Sequence, residues 1–442
     1  MTSKNQLGFF SLTMIVISLV IGMGIFGTPA GVAGSSGSSF IFFSAWLVGG
    51  LVALCGALVY AEIGLRLPVM GAYYKVFSEC YHPAVGFTVN ILILISNAAS
   101  LGVVALIGAD YISDLLFGVP AGPVFNVGIS IVAVCMFYTV NLFGLHTSSQ
   151  MQNLLTVIKL GLVLLLIASI FKGVLVPAHG HNEGARMYSL KDSHWFSLFM
   201  ISLVPVFFSY GGYQQTINFG SEVKNARILP KAIIFGMLAV LLLYMGINFA
   251  YTKVVGYEQM KNVSAIGALL CEAWFGKTGA KVFDGLMFLS VLAYVNISLM
   301  SNPRVMYAMS QDKVLPALFS VRHPKTLALT GGLTVFSLLT VIITFFGKGI
   351  DNILGFSMFL DGIGMSASAA ALFVLRKRRK NEHMVSGGLT KWTPVLTAIF
   401  VLFYVGIAIA VTIDKPFAAL TGICLLLLST ALYFIFYHRR KT

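Results

Sequence analysis

Charge is what this chain has least of: Asp, Glu, Lys and Arg make up 10% of its 442 residues, against 58% hydrophobic residues. A soluble globular chain carries charge at about a quarter of its positions. The composition therefore excludes an ordinary water-soluble domain, and a mean hydropathy of +0.90 places most of the chain in a bilayer. Cysteine is sparse as well. Cys55, Cys80, Cys135, Cys271 and Cys424 lie scattered, mostly in apolar surroundings, with no CxxC and no Cys/His cluster. That reads as packing, not as a disulfide framework or a metal site. No GxxxxGK[ST] loop, no HExxH and no large extramembrane stretch occurs, so no catalytic constellation, cofactor or metal is expected and ATP chemistry has no seat. Lys4 runs into the first apolar stretch without a small-residue cleavage site, so no cleavable signal peptide is expected.

Long apolar runs are abundant. A membrane span needs about 20 such residues, and about twelve candidates fit: 8–33, 40–65, 83–117, 123–145, 153–172, 195–219, 230–253, 281–309, 327–347, 352–375, 392–412 and 416–437. The fold class expected is an all-α polytopic membrane protein in one transmembrane domain, 1–442. Ser264–Phe275 is shorter and mixed and reads as an interfacial or re-entrant helix. The formal net charge of +14 is distributed as topology, not as a nucleic-acid surface. With the N-terminus cytoplasmic, about 19 of the Lys and Arg residues fall inside and about nine outside. Arg376-Lys377-Arg378-Arg379-Lys380 then anchors the inner face and can touch anionic lipid. Both termini are expected to be cytoplasmic.

Two of the spans are interrupted by small residues. Gly22-Met23-Gly24-Ile25-Phe26-Gly27-Thr28-Pro29 breaks the first, and Phe208-Ser209-Tyr210-Gly211-Gly212-Tyr213 breaks the sixth. Hydrocarbon offers no partner to a freed backbone group, so such breaks belong where the chain faces protein, water or a ligand. A matched pair in two halves of a chain points to a transporter's binding site. Five helices are an odd number, so a repeat of five spans would enter the membrane from the opposite face the second time. The halves would be 8–175 and 195–375, with 392–437 supplying helices eleven and twelve outside the repeat. Break position carries that inference, since the halves show no clear residue identity.

At the first break, amides of Gly22, Met23, Gly24 and Ile25 and the positive end of the following half-helix suit a carboxylate. The same glycines also suit close helix packing. At the second, carbonyls around Phe208, Ser209, Tyr210 and Gly211 can accept from an ammonium group, so the two breaks together can hold a zwitterion. Phe208 is a candidate lid, or an ordinary packing residue among 35 phenylalanines. Lys159, two turns into span five, is either a functional intramembrane cation or a lysine snorkelling to the interface. Facing inward, it could take the place of a coupling cation or serve as a proton site. Asn296 in span eight is either a substrate ligand or helix–helix glue. Glu62 and Glu222, near span ends, read as salt-bridge partners at a gate or loop. Asn262-Val263-Ser264 fits a glycosylation sequon that matters only in a secretory-pathway host.

Taken jointly, these motifs resemble the amino acid–polyamine–organocation superfamily, and most closely its L-type amino acid transporter branch and bacterial relatives. Gly22-Met-Gly-Ile-Phe26 is similar to the family's GxGIF, and Phe208-Ser-Tyr-Gly-Gly-Tyr213 to its FAYGGW. Phe219-Gly-Ser-Glu-Val-Lys-Asn225, Thr156-Val-Ile-Lys-Leu160, Val295-Asn-Ile-Ser-Leu-Met-Ser-Asn-Pro-Arg304 and Ser310-Gln-Asp-Lys-Val-Leu-Pro316 match family stretches in order over spans one to ten. The resemblance implies a LeuT-type five-plus-five inverted repeat and secondary transport of amino acids by alternating access. It implies the substrate carboxylate on amides of Gly22 to Ile25, its amine on carbonyls of span one and of Phe208 to Gly211, and Phe208 as outer gate. It puts Lys159 at the former sodium position, linking spans one, five and eight, so sodium independence is expected. Asn296 falls where relatives line the substrate path.

Met23 and Tyr213 depart from the usual small residue and Trp, so substrate choice does not carry over. The loop from Phe117 to Pro123 lacks the cysteine by which some relatives join a heavy chain, so no disulfide-linked partner is expected. The expected setting is a plasma membrane, the inner membrane of a bacterium, with a monomer or weak homo-oligomer working as exchanger or proton symporter. Neutral amino acids are preferred, because no carboxylate lies in the broken helices to pair a cationic side chain. Cationic amino acids or polyamines are the alternative substrates. A non-transporting amino acid sensor is the alternative class; a channel fits less well.

Overall fold

A chain segment that enters hydrocarbon must satisfy its own amides and carbonyls, and only helices do so within one segment. The computed structural model describes residues 6–119, 121–172, 195–263, 265–345, 350–378 and 389–439, and they are overwhelmingly helical. In chain order the helices are α1 (Phe9–Val20), α2 (Gly24–Ser36), α3 (Ser39–Arg66), α4 (Ala72–Cys80), α5 (Pro83–Phe117), α6 (Pro123–Leu142), α7 (Leu145–Ala168) and α8 (Trp195–Tyr210). They continue as α9 (Ile228–Val254), α10 (Tyr257–Met260), α11 (Ile266–Phe275), α12 (Lys277–Gln311), α13 (Thr330–Phe345), α14 (Ile350–Arg378), α15 (Leu389–Asp414) and α16 (Pro416–Arg439). Among the described residues no β-ladder forms. The extended contacts are two isolated bridges, Leu7 with Val223 and Met70 with Phe219.

Among the described residues, eleven helices are long and apolar enough to cross a membrane when the two halves of each broken helix are counted together. The span expected at 327–347 is the apolar helix α13, 16 residues long and below that length. Pro83 and Pro123 each open a helix at its first position, where the missing N–H is one the helix could not use. The segment expected to be interfacial is α11, packed against α12. One helix was not expected: α4, nine residues between spans two and three, begins after Gly71 in the left-handed region at φ 65°.

The first break is narrower than its sequence. Helix resumes at Gly24 and runs through Pro29 to Ser36, so Thr28 and Pro29 belong to α2. A membrane helix tolerates such a proline when neighbours re-satisfy the freed carbonyl. Of the basic run at 376–380, Arg379 and Lys380 lie outside the described residues, as does Ser264 of the sequon.

The broken helices sit at the centre. α1 packs on α7 and α9, α2 on α8, and α3 on both α8 and α9. A second group, α5, α6, α12 and α13, packs around its own apolar core, and α14 joins the two sides through α3 and α5. Large apolar side chains such as Val132, Leu402 and Leu427 stay exposed on the perimeter, as a lipid-facing surface requires.

Candidate functional site

The first break leaves donors bare. Ile21 and Gly22 turn back on the carbonyls of Ile17 and Val20, each at 2.7 Å. Phe26 and Gly27 then donate to the carbonyl of Met23, which starts α2. Among the described residues no acceptor serves the amides of Met23, Gly24 and Ile25, the first donors of that half-helix. The second break is built differently. α8 ends at Tyr210, Gly211 donates to the Phe208 carbonyl at 3.2 Å, and the chain tightens into a 3₁₀ turn from Tyr213 to Asn218.

Two glycines set how closely the breaks approach each other. Gly212 has φ 107°, and a β-carbon there would run into the Leu19 carbonyl. A β-carbon on Gly24 would stand 2.9 Å from Ser209 Oγ. Thr28 and Ser209 hydroxyls meet at 2.8 Å across the same contact. Tyr244, wholly buried on α9, places its hydroxyl 3.1 Å from the Val20 carbonyl and 3.0 Å from the Ser209 carbonyl. One side chain thus ties the end of α1 to the end of α8.

A cavity of about 380 Å³ opens against the breaks, within the range of small-molecule sites. Gly22, Met23, Gly24, Phe208, Ser209 and Gly211 line it. The far wall comes from α5, α12 and α14. Three expected site residues are not in that lining. Ile25 is an apolar core side chain with no exposure, so only its amide is available. Tyr210 turns toward α3 and α9, its hydroxyl on the Trp46 carbonyl at 3.3 Å and its ring 4.9 Å from that of Tyr244. Asn296 is corrected from ligand to glue. Its Nδ2 donates to the Ser148 carbonyl (3.1 Å) and Gln152 Oε1 (2.8 Å), and its Oδ1 accepts from Asn141 (3.0 Å). With both amide hydrogens committed, nothing is left to donate to a substrate.

Lys159 does not snorkel. It is fully buried, and its Nζ donates to the Ile21 carbonyl at 2.6 Å, with Ser18 Oγ at 3.5 Å. The carbonyl end of α1 carries partial negative charge, which favours an ammonium there. Lys159 itself reaches α12 only indirectly: Gln152, also on α7, donates to Ser18 Oγ at 2.6 Å and accepts from Asn296 at 2.8 Å, so this amide pair and not the ammonium joins spans five and eight.

The side of the chain's N-terminus is sealed. Leu7 donates to the Glu222 carbonyl (2.7 Å) and accepts from Lys224 (3.1 Å). Arg304 grips the Glu222 carboxylate through Nε (2.5 Å) and Nη2 (3.0 Å), with its guanidinium 4.3 Å over the Phe219 ring. Glu62 is held by Arg66 (2.7 Å) and Arg376 (2.5 Å). Both carboxylates are therefore ion-paired on this face, away from the cavity.

Sequence reasoning missed Tyr244, Gln152 and Asp361. Tyr244 and Gln152 carried a weak signal, a polar atom inside an apolar run. Asp361 carried a strong one: an acid in the body of span ten is a functional candidate on sight. It lies outside the two broken helices, the segments that the sequence marks as the site. It lines the cavity, so the reason given for preferring neutral substrates loses its ground.

The sequence model of the family described as "Amino acid permease" matches residues 7–434. The chain is 28% identical to the serine/threonine exchanger SteT of Bacillus subtilis (strain 168) over 412 residues, 91% of each chain. It is 27% identical to the human cystine/glutamate transporter, covering 98% of this chain and 85% of that one. It is 24% identical to the mouse large neutral amino acids transporter small subunit 2, covering 98% and 81%.

Proposed function

This chain belongs to the amino acid permease family, within the amino acid–polyamine–organocation superfamily beside its L-type branch, and on that premise we propose that it is a sodium-independent amino acid exchanger whose substrate head lies across the two helix breaks. Amino acid transport is the common ground of its relatives; it is a transporter and not an enzyme. The observation that carries the reading is the pairing of bare amides at Met23, Gly24 and Ile25 with the carbonyl end of α8 at Phe208 to Tyr210 and the non-helical Gly211 that follows, on one cavity. The amides take the α-carboxylate at the positive end of α2. Carbonyls of the second break take the α-ammonium. Phe208, on the cavity wall and 36% exposed, closes over the side chain.

Lys159 supports sodium independence. Its ammonium already neutralises the carbonyl end of α1 through Ile21, where a coupling cation would otherwise have to sit. The five-plus-five repeat, 8–175 and 195–375, gives the motion: one group of helices rocks against the other about the cavity. The sealed face with Glu222 and Arg304 is then the cytoplasmic gate of an outward-directed state. Exchange is favoured over proton symport by the exchanger among the relatives. The setting is a plasma membrane, without a disulfide-linked heavy chain.

Counterflow in proteoliposomes tests this. Vesicles preloaded with an amino acid should accumulate the same labelled amino acid, equally in sodium and in choline buffer. Saturable binding with no counterflow would favour a sensor, and a strict sodium requirement would overturn the role given to Lys159.

A further inference from the structure

Asp361 is the one formally charged side chain, among the described residues, that lines the central cavity. It sits on α14, one turn beyond Ser357, which faces the same space. It also lines a smaller adjoining pocket, shared with Phe208, Gly211 and Gln214 beside the second break. Among the described residues its carboxylate forms neither an ion pair nor a hydrogen bond. Lys159 lies outside the lining and its ammonium donates to the Ile21 carbonyl. Tyr73, Tyr294 and Tyr404 stand within electrostatic reach of the carboxylate. The first two line the cavity and the third the adjoining pocket.

An amino acid head is a zwitterion and brings no net charge to this space. Asp361 is partly exposed to the open cavity, and a substrate that fills the space takes its carboxylate out of water, which is expensive without a partner. A bound ammonium or guanidinium compensates it. A substrate with a neutral side chain leaves the carboxylate uncompensated. We propose that Asp361 is the residue that sets substrate class, receiving the ω-ammonium or guanidinium of a cationic amino acid whose head is held at the two helix breaks. The inference rests on the transport reading above and specifies its substrate. The relatives do not fix this point, because their names range from serine/threonine to cystine/glutamate and large neutral amino acids.

Arginine and citrulline make the deciding pair, nearly equal in length and shape and differing in charge. In counterflow with the full-length chain, arginine should be preferred over citrulline by about tenfold or more, the scale of one charged hydrogen bond. Asp361→Asn should bring that ratio close to one, chiefly by losing arginine, while citrulline exchange persists. Binding to the wild-type protein gives the same answer without a variant: arginine should raise the melting temperature at concentrations where citrulline does not. Asp361→Ser serves if the Asn variant folds poorly. Citrulline handled as well as arginine by the wild type, or an undiminished preference in Asp361→Asn, overturns the assignment while leaving transport standing. Failure to exchange any amino acid overturns the transport reading and this inference with it.

Discussion

Replacing Tyr244 with phenylalanine deletes one oxygen atom and leaves the ring. That ring is packed 4.9 Å from Tyr210 and 5.8 Å from Trp46, contacts that phenylalanine keeps. The hydroxyl has a single proton for two acceptors, the carbonyls of Val20 and Ser209. Its removal forfeits one neutral hydrogen bond, about 0.5–1.5 kcal/mol, and leaves a carbonyl bare at a site with no exposure, so a total near 1–2 kcal/mol is expected. Those two carbonyls belong to the two segments that form the head site, so the loss should fall on substrate binding. At about 1.4 kcal/mol per decade it raises KM roughly 5- to 30-fold. Counterflow Michaelis curves measure it, alongside melting curves. Tyr251→Phe is the matched control: Tyr251 lies two turns further along α9, equally buried, and its hydroxyl has no partner among the described residues. That variant should leave KM unchanged. A Tyr244→Phe protein with KM within about twofold of wild type would show that the bridge does not shape the site.

Lys159→Ala should reduce exchange at least about tenfold while the protein stays folded by size-exclusion profile, since it leaves the Ile21 carbonyl without a donor; wild-type uptake would sink the role given to the ammonium. Phe208→Ala should lower turnover several-fold more than it weakens equilibrium binding, about 3-fold or more, and equal losses in the two would count against a gate. Glu222→Gln strips the charge partner from buried Arg304 and should destabilise the sealed face by about 3–5 kcal/mol. A probe cysteine at cavity residue Asn218 should then become reactive to an impermeant reagent added from that face; unchanged labelling would place the seal elsewhere. Gly212→Ala demands a left-handed backbone from alanine and a clash with the Leu19 carbonyl, so folded yield should drop in line with roughly 1–3 kcal/mol of strain; normal yield and melting would refute the close approach.

The spans were legible because hydrocarbon imposes one rule on every residue in them. Pro83 and Pro123 even marked helix starts. The breaks were legible for a related reason: Gly22, Gly24, Gly211 and Gly212 are poor choices inside a helix unless something needs the backbone. Their true edges were not, since Pro29 is a stop signal in water and a tolerated kink in a packed membrane helix. α4 hid because its nine residues, with Lys75, Ser78 and Glu79 among the apolar ones, are too few and too mixed to give a hydropathy peak. The harder question was which polar residue faces the cavity. In a helix apolar nearly all round, periodicity does not mark an inner face. Asn296 and Asp361 looked alike in that respect, and only helix rotation separates them: one is spent among Asn141, Ser148 and Gln152, the other is left to the cavity. Lys159 was decided by a single distance, 2.6 Å to the Ile21 carbonyl, that no sequence pattern encodes.

The bond between Leu7 and the strand-like stretch at Glu222 to Lys224 has a practical corollary. On the alternating-access reading proposed above, Leu7 must let go of two main-chain partners whenever that vestibule admits water. A purification tag, antibody epitope or fluorescent protein fused there would lean on the latch itself and bias which face stands open. Reporters belong elsewhere if native cycling is to be observed, and a deliberately bulky fusion at that end becomes a simple handle for trapping the opposite state.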